Sequence, residues 1–247
     1  MNEAPMEWQR PGLKLHQVAT NASRRRDAKL HESSSFHRGL RHALTNASLL
    51  FYGPANISCV VDRCKYDAVV LTNNMFTVLP RDPCNTTRRI LIVNRMFSHV
   101  LERHYANGSF ASSFDDLDAI LCTNKETCKR MHAKMNASHI PFFSMASPDV
   151  HGVANTLPYF MKSIRGIPFS SVHVTGVTFY ETGAQYRKDY GLTSQPASRH
   201  DLASNKNYTL REIRLLGPVR ASIDYPSCAP RDSDGRPTHV PSAPQRW

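Results

Sequence analysis

Sustained hydrophobic periodicity begins late in this chain. Residues 1 to about 45 show none, whereas from Ser48 onward short apolar runs recur with helical segments between them. "SLLFYG" (Ser48 to Gly53), "DAVVLTNN" (Asp67 to Asn74), "RILIVNR" (Arg89 to Arg95) and "DAILCTN" (Asp118 to Asn124) predict four strands. "IPFFSMA" predicts a fifth, and "SVHVTGVTFY" a sixth that finishes in Phe179 and Tyr180. "FSHVLERHYA" and "KETCKRMHAKM" have helical composition and spacing. So does "VANTLPYFMKSIR", where Pro158 must kink the helix or sit in its first turn. Continuous apolar strands alternating with helices argue for an α/β class: a mostly parallel sheet covered on both faces. This divides the chain into a basic flexible tail (1–45), an α/β domain (46–225) and a proline-rich, disordered C-terminal tail (226–247).

One internal echo bears on function. "DAVVLTNN" and "DAILCTNK" each begin with Asp and end in Thr-Asn. Ligands bind beyond the carboxyl ends of strands in open parallel sheets, so both Thr-Asn pairs are expected at the ligand edge and both aspartates at the opposite one.

Composition adds less. At 247 residues the chain can form one well-buried domain or two small ones. Its formal charge of +11 is uneven: Arg24, Arg25 and Arg26 open a basic, His-rich stretch that runs through Arg38 and Arg41. Such a stretch suits nucleic acid, an anionic membrane or a phosphate-bearing ligand. No nucleic-acid module follows it, so a nucleic-acid partner is not expected. No run approaches the roughly 20 apolar residues that span a bilayer, and the N-terminus lacks the apolar core of a signal peptide. Yet there are seven N-x-S/T sequons, at Asn21, Asn46, Asn56, Asn85, Asn107, Asn136 and Asn207. About two would arise by chance, so the excess points to a lumenal or secreted life. The six cysteines permit up to three disulfides there, with Cys122 reading as a buried thiol at a strand end.

Several positions have the chemistry of a site. Gly53 ends the first strand where the chain is expected to turn toward a helix, an arrangement that lets backbone N–H groups approach a phosphate or sugar. Neither a dinucleotide fingerprint nor a P-loop accompanies it. Asn73 and Asn74 offer donors and acceptors to ribose hydroxyls, a base edge or a sugar, or else cap a helix or close a turn. "GVANT" opens a helix with Asn155 and Thr156 beside free backbone N–H groups. Gly176 permits close approach of a nucleotide or of neighbouring backbone, and Phe179, Tyr180, Tyr186, Arg187 and Tyr190 gather aromatic rings, hydroxyls and a cation after it. His200 is placed to act as a general base, with Asp201 and Glu212 as nearby acids. "DDLD" (Asp115 to Asp118) contains a D-x-D pattern that could hold a divalent cation on a sugar-nucleotide diphosphate, but Asp118 falls at the amino end of its strand, so no metal is expected.

Together "YGPANIS", "YDAVVLTNN", "GVANTLPYFMKSI", "VHVTGVTFYETG" and "RHDLASNKNY" resemble the sialyltransferases of glycosyltransferase family 29 and their bacterial and viral relatives, over about Leu49 to Glu212. The resemblance implies a Rossmann-like sheet of the GT-A variant type. It also implies inverting, metal-free transfer of sialic acid from CMP-sialic acid to a glycan hydroxyl, with no separate cofactor. Gly53, Asn56, Asn73 and Asn74 match its large donor-binding motif, Asn155, Thr156 and Gly176 its small one, and His200 its catalytic base. Leu157 stands where the small motif usually has glycine. The partners expected are a CMP-sugar and a glycan acceptor in the Golgi lumen or secretory pathway, with any membrane association through an anchor that is missing or borne by a partner. The alternatives are a metal-dependent enzyme using Asp116 and Asp118, and a non-catalytic nucleotide- or glycan-binding protein.

Overall fold

A computed structural model describes residues 39–55, 59, 61–73, 87–106, 108, 114, 116–135, 140–179, 201–225 and 227–228. The chain divides into two compact units, Met1–Ala43 and Leu44–Trp247. In the first, residues 39–43 are described and are helical.

The second unit is an α/β sheet layer with helices on both faces. Seven strands run parallel in the order β5-β4-β3-β2-β1-β6-β7. They are β1 (Ser48–Tyr52), β2 (Ala68–Thr72), β3 (Arg88–Val93), β4 (Ala119–Cys122), β5 (Phe142–Ser144), β6 (Ser171–Thr175) and β7 (Ala221–Ile223). The order steps outward from β1 to β5, then reverses and restarts beside β1 with β6. That reversal is a topological switch point, and the crevice at its carboxyl end is where doubly wound sheets bind ligands.

Strand alternation sorts the core onto two faces. On one, Leu50, Val69, Leu71, Leu91, Val93 and Ile120 meet Phe97 and Leu101 of α1 (Arg95–Ala106) and Met131 and Met135 of α2 (Lys125–Met135). On the other, Phe51 of β1 meets Phe160 of α3 (Thr156–Ile164), ring centroids 5.4 Å apart. Each fully buried aliphatic or Phe side chain here contributes about 1.5–3 kcal/mol. α3 packs against α4 (Leu202–Leu216). These two helices run side by side in the same sense. Asn155 meets Asn205 at their N-terminal ends, and Arg165 lies 3.9 Å from Glu212 at their C-terminal ends. Pro158 is the third residue of α3, inside the first turn where it removes no needed donor.

The amino edge is closed by the aspartates of the sequence echo. Asp67 Oδ2 accepts from both the backbone N–H and the hydroxyl of Ser48, each at 2.7 Å. The bonds from Ser48 hold its carboxyl below the usual range. Asp118 Oδ2 accepts from the Arg89 N–H at 2.7 Å, and Asp116 lies 3.6 Å from the Arg89 guanidinium.

Four expectations need correcting. β6 stops at Thr175 rather than reaching Phe179 and Tyr180, because Gly176 (φ 66°) turns the chain out of the sheet. No α-helix follows Gly53 among the described residues; the link to β2 carries only a 3-10 turn, Arg63–Lys65. Cys122 is no free thiol but is bonded to Cys128, while Cys59 is bonded to Cys228 and Cys64 is disulfide-bonded as well. Finally, β7 and α4 were not foreseen as elements. No described helix is long and apolar enough to cross a membrane.

Candidate functional site at the carboxyl edge

The turns after β1 and β6 interlock at the switch point. Gly53 N–H donates to Thr175 O at 2.8 Å, and Ala55 N–H donates to Gly176 O at 2.9 Å. A Cβ on Gly53 would lie 2.3 Å from Gly176 O, and one on Gly176 would lie 2.4 Å from Gly53 O. Each glycine is therefore required by the other. The close approach found here is to neighbouring backbone, one of the two expected for Gly176, where a phosphate or sugar was expected for Gly53.

Asn73 follows β2 directly, in the left-handed region (φ 50°), with its N–H donating to Ile92 O at 2.8 Å. Its counterpart in the echo, Asn124, is structural, since its Oδ1 accepts from Thr127 N–H at 2.8 Å and caps α2. The two Thr-Asn pairs thus diverge. Thr72, ending β2, is buried with a hydroxyl that has no hydrogen-bond partner among the described residues.

On the other side of the crevice Phe179 is also left-handed (φ 51°) but buried. Its ring sits edge-on to Tyr225 with centroids 5.5 Å apart, so it supports the wall instead of facing a ligand. Lys206, in the first turns of α4, holds its ammonium 5.0 Å above the Tyr225 ring, joining the start of α4 to the strand ends.

The start of α3 and the start of α4 form one hydrogen-bonded unit. Asn205, fully buried, accepts from Asn155 N–H at 2.7 Å and donates to Val153 O at 3.1 Å and Asp201 O at 2.7 Å. Asn155 occupies the N-cap position of α3 but makes no side-chain cap bond, so it does not do the capping that its residue type suggests. Thr156 is half-buried at the first helical position. Asp201 caps α4 through Ser204 N–H at 2.8 Å, and its other oxygen lies 3.1 Å from His151 Nδ1. The Ser204 backbone bond, then the pairing with His151, keeps the Asp201 carboxyl below its ordinary value despite an opposing desolvation effect.

A second polar network was equally unforeseen. His173 of β6 lies with Nε2 2.9 Å from Asp224 Oδ1 and Nδ1 2.8 Å from Ser222 Oγ, while Thr175 donates to Asp224 Oδ2 at 2.5 Å. Tyr66 stacks on His173 at 6.2 Å, and burial first, then Asp224 and Asp62, pushes its phenol up. Asp224 also lies within 4.8 Å of the Cys59 and Cys228 sulfurs, but those are joined to each other and do not serve a metal.

Of the sequence-derived candidates, Gly53, Asn73, Asn155, Thr156, Gly176 and Phe179 are therefore all at or beside the carboxyl edge. Asn56, Asn74, Tyr180, Tyr186, Arg187, Tyr190 and His200 lie outside the described residues. Among the sequons Asn46 and Asn207 are described, and both are exposed. His151, Asp224 and Asn205 went unnoticed. Only the D-x-x-S spacing of Asp201 and Ser204 signalled a helix start there. Comparison with protein-family models, curated proteins and solved structures returned no match.

Proposed function

We propose that the chain is a glycosyltransferase of the sialyltransferase kind, transferring sialic acid from CMP-sialic acid to a glycan hydroxyl with inversion and without a metal. The observation that carries this reading is the convergence at the switch point. The turns after β1 and β6, the left-handed Asn73 after β2, and the starts of α3 and α4 meet at one edge. These are the segments whose residues carry the family resemblance. In this reading His200, next to the Asp201 cap, accepts the acceptor's hydroxyl proton as the oxygen attacks the anomeric carbon. Charge develops on the departing phosphate, and free N–H groups at the α3 start, with Arg187 and the tyrosines, stabilise it. The D-x-D aspartates are at the amino edge, where Asp118 holds the Arg89 backbone, which disfavours a metal-dependent reaction through them.

The direct test is CMP release and sialylated product from CMP-sialic acid with a mixed glycan acceptor, in EDTA. Retention of activity in EDTA with a loss of about 10²–10⁴-fold in His200→Ala is expected for a general base. Release from a UDP-sugar alone, dependent on manganese and abolished by Asp116→Ala, overturns the reading.

A further inference from the structure

We propose that Asn46 is an N-glycosylation site, carrying an oligosaccharide on its Nδ2 at the edge of the sheet opposite the candidate site. The site stands whether or not the chain is a transferase.

A sequon alone does not bring a glycan. Attachment needs a lumenal compartment and a surface with room for a bulky, hydrated sugar. The cysteines speak to the first condition. Cys59 is bonded to Cys228 and Cys122 to Cys128, Cys64 is bonded as well, and no described cysteine is free. Pairing on that scale marks an oxidising compartment such as the secretory lumen, which is also where N-linked glycans are attached.

The fold meets the second condition at Asn46. This residue stands in the turn ahead of β1 in the left-handed region (φ 59°), which asparagine tolerates better than other side-chain-bearing residues. Its main chain is fixed: its N–H donates to Pro168 O at 2.8 Å, and the next N–H, of Ala47, donates to Leu44 O at 3.2 Å. Leu44 and Ala47 are buried, while the Asn46 side chain is exposed and makes no hydrogen bond among the described residues. A fixed turn with one amide left in water is the surface-loop setting of an acceptor asparagine. Asn207, the other described sequon asparagine, differs. It is exposed but lies within α4, and Tyr208 and Thr209, which complete its sequon, are buried.

Ser48, the hydroxyl residue of the Asn46 sequon, orders the events. Its Oγ donates to Asp67 Oδ2 at 2.7 Å and accepts from Asp67 N–H at 3.0 Å, so in the folded chain it is closed off from a transferring enzyme. The sugar is therefore attached before β1 pairs with β2, and the sheet closes beneath it. In that step Asn46 Nδ2 bonds to the anomeric carbon of a lipid-diphosphate-linked oligosaccharide. The bond from that carbon to the phosphate oxygen breaks, its electron pair leaves with the lipid diphosphate, and the amide gives up one proton. At the amino edge the glycan is clear of the switch-point crevice.

The experiment directs the full chain into the lumen of a eukaryotic cell with a cleavable leader. The secreted protein is treated with peptide N-glycosidase in heavy-oxygen water, which turns each glycan-bearing asparagine into labelled aspartate. Asn46 and Asn56 share one tryptic peptide, His42 to Arg63, so fragment spectra place the label. Label at Asn46 that depends on the enzyme is expected. Asn46→Asp keeps a residue that tolerates positive φ, so it is expected to fold with unchanged circular dichroism and to migrate with one glycan fewer. Ser48→Ala is expected to lose the same glycan, and Ser48→Thr, which retains the hydroxyl, to keep it. An unlabelled Asn46 in the secreted wild type, or variants Asn46→Asp and Ser48→Ala that migrate like the wild type, overturns the site and leaves the transferase reading untouched.

Discussion

The two edges of the sheet use the same residue types for different ends. At the amino edge Asp67 and Asp118 spend their carboxylates on backbone and side-chain donors of the neighbouring strand. At the carboxyl edge Asp201 caps a helix with one oxygen and holds an exposed imidazole with the other, and Thr72 keeps a buried hydroxyl unused among the described residues. Backbone does not separate the edges: Asn73, Gly176 and Phe179 sit at positive φ beyond strand ends, and Asn46 does so ahead of β1 at the amino edge (φ 59°). A buried group without a partner and a left-handed asparagine each cost about 1–3 kcal/mol, and both edges carry them: Thr72 and Asn73 at the carboxyl edge, Thr87 and Asn46 at the amino edge. The comparison teaches that identical Thr-Asn endings need not have identical roles. Asn124 caps α2 in its turn; Asn73 does not lead into a described helix.

The largest way to break the contrast is at the staple. Cys59 follows β1 and Cys228 follows β7, so their bond, with a sequence separation of 169, joins two carboxyl-edge loops. Removing it with Cys59→Ser and Cys228→Ser is expected to cost up to about 5 kcal/mol on loop-entropy grounds, more than twice the effect of removing Cys122–Cys128. Denaturant melts of the two double variants check the ranking. Next comes Gly176→Ala, which sets a Cβ against Gly53 O and forces a non-glycine to positive φ. A loss of about 2–4 kcal/mol is expected, and Gly53→Ala should behave alike, since each glycine answers the other. Asn205→Ala removes the side-chain link between α3 and α4 and takes away the acceptor of Asn155 N–H, while Asp201 O keeps the backbone N–H of residue 205; about 1–3 kcal/mol is expected in the same melts. Smallest, and opposite in sign, is Thr72→Val. Deleting a buried hydroxyl without a partner is expected to leave stability unchanged or raise it by up to about 1 kcal/mol. A clear loss there would show that the hydroxyl is satisfied.

Much of this architecture was legible because β1 to β4 are continuous apolar runs, and parallel strands buried on both faces leave that trace. β7 was not: it has three residues and only Ala221 is buried. α4 was missed because its inward positions are Asn205, Tyr208, Thr209 and Glu212, a polar stripe that blurs the amphipathic signal. The site was legible in part for the same kind of reason. Strand ends announce their own turns, so Gly53 and Asn73 could be placed at an edge from spacing, whereas Gly176 read as lying within a longer sixth strand. That Gly53 and Gly176 face each other depends on β1 pairing with β6 across a long stretch of chain, and His151–Asp201 depends on two loops meeting; neither leaves a local pattern.

The measurement that bears most directly on the central claim is a thermal-shift panel of CMP, CDP, UDP and GDP, each with and without manganese. A donor pocket at the switch point predicts that CMP raises the melting temperature without metal. At a concentration about 100 times its dissociation constant it should stabilise the fold by about 2.7 kcal/mol. Stabilisation by UDP only in the presence of manganese, with none from CMP, would contradict it.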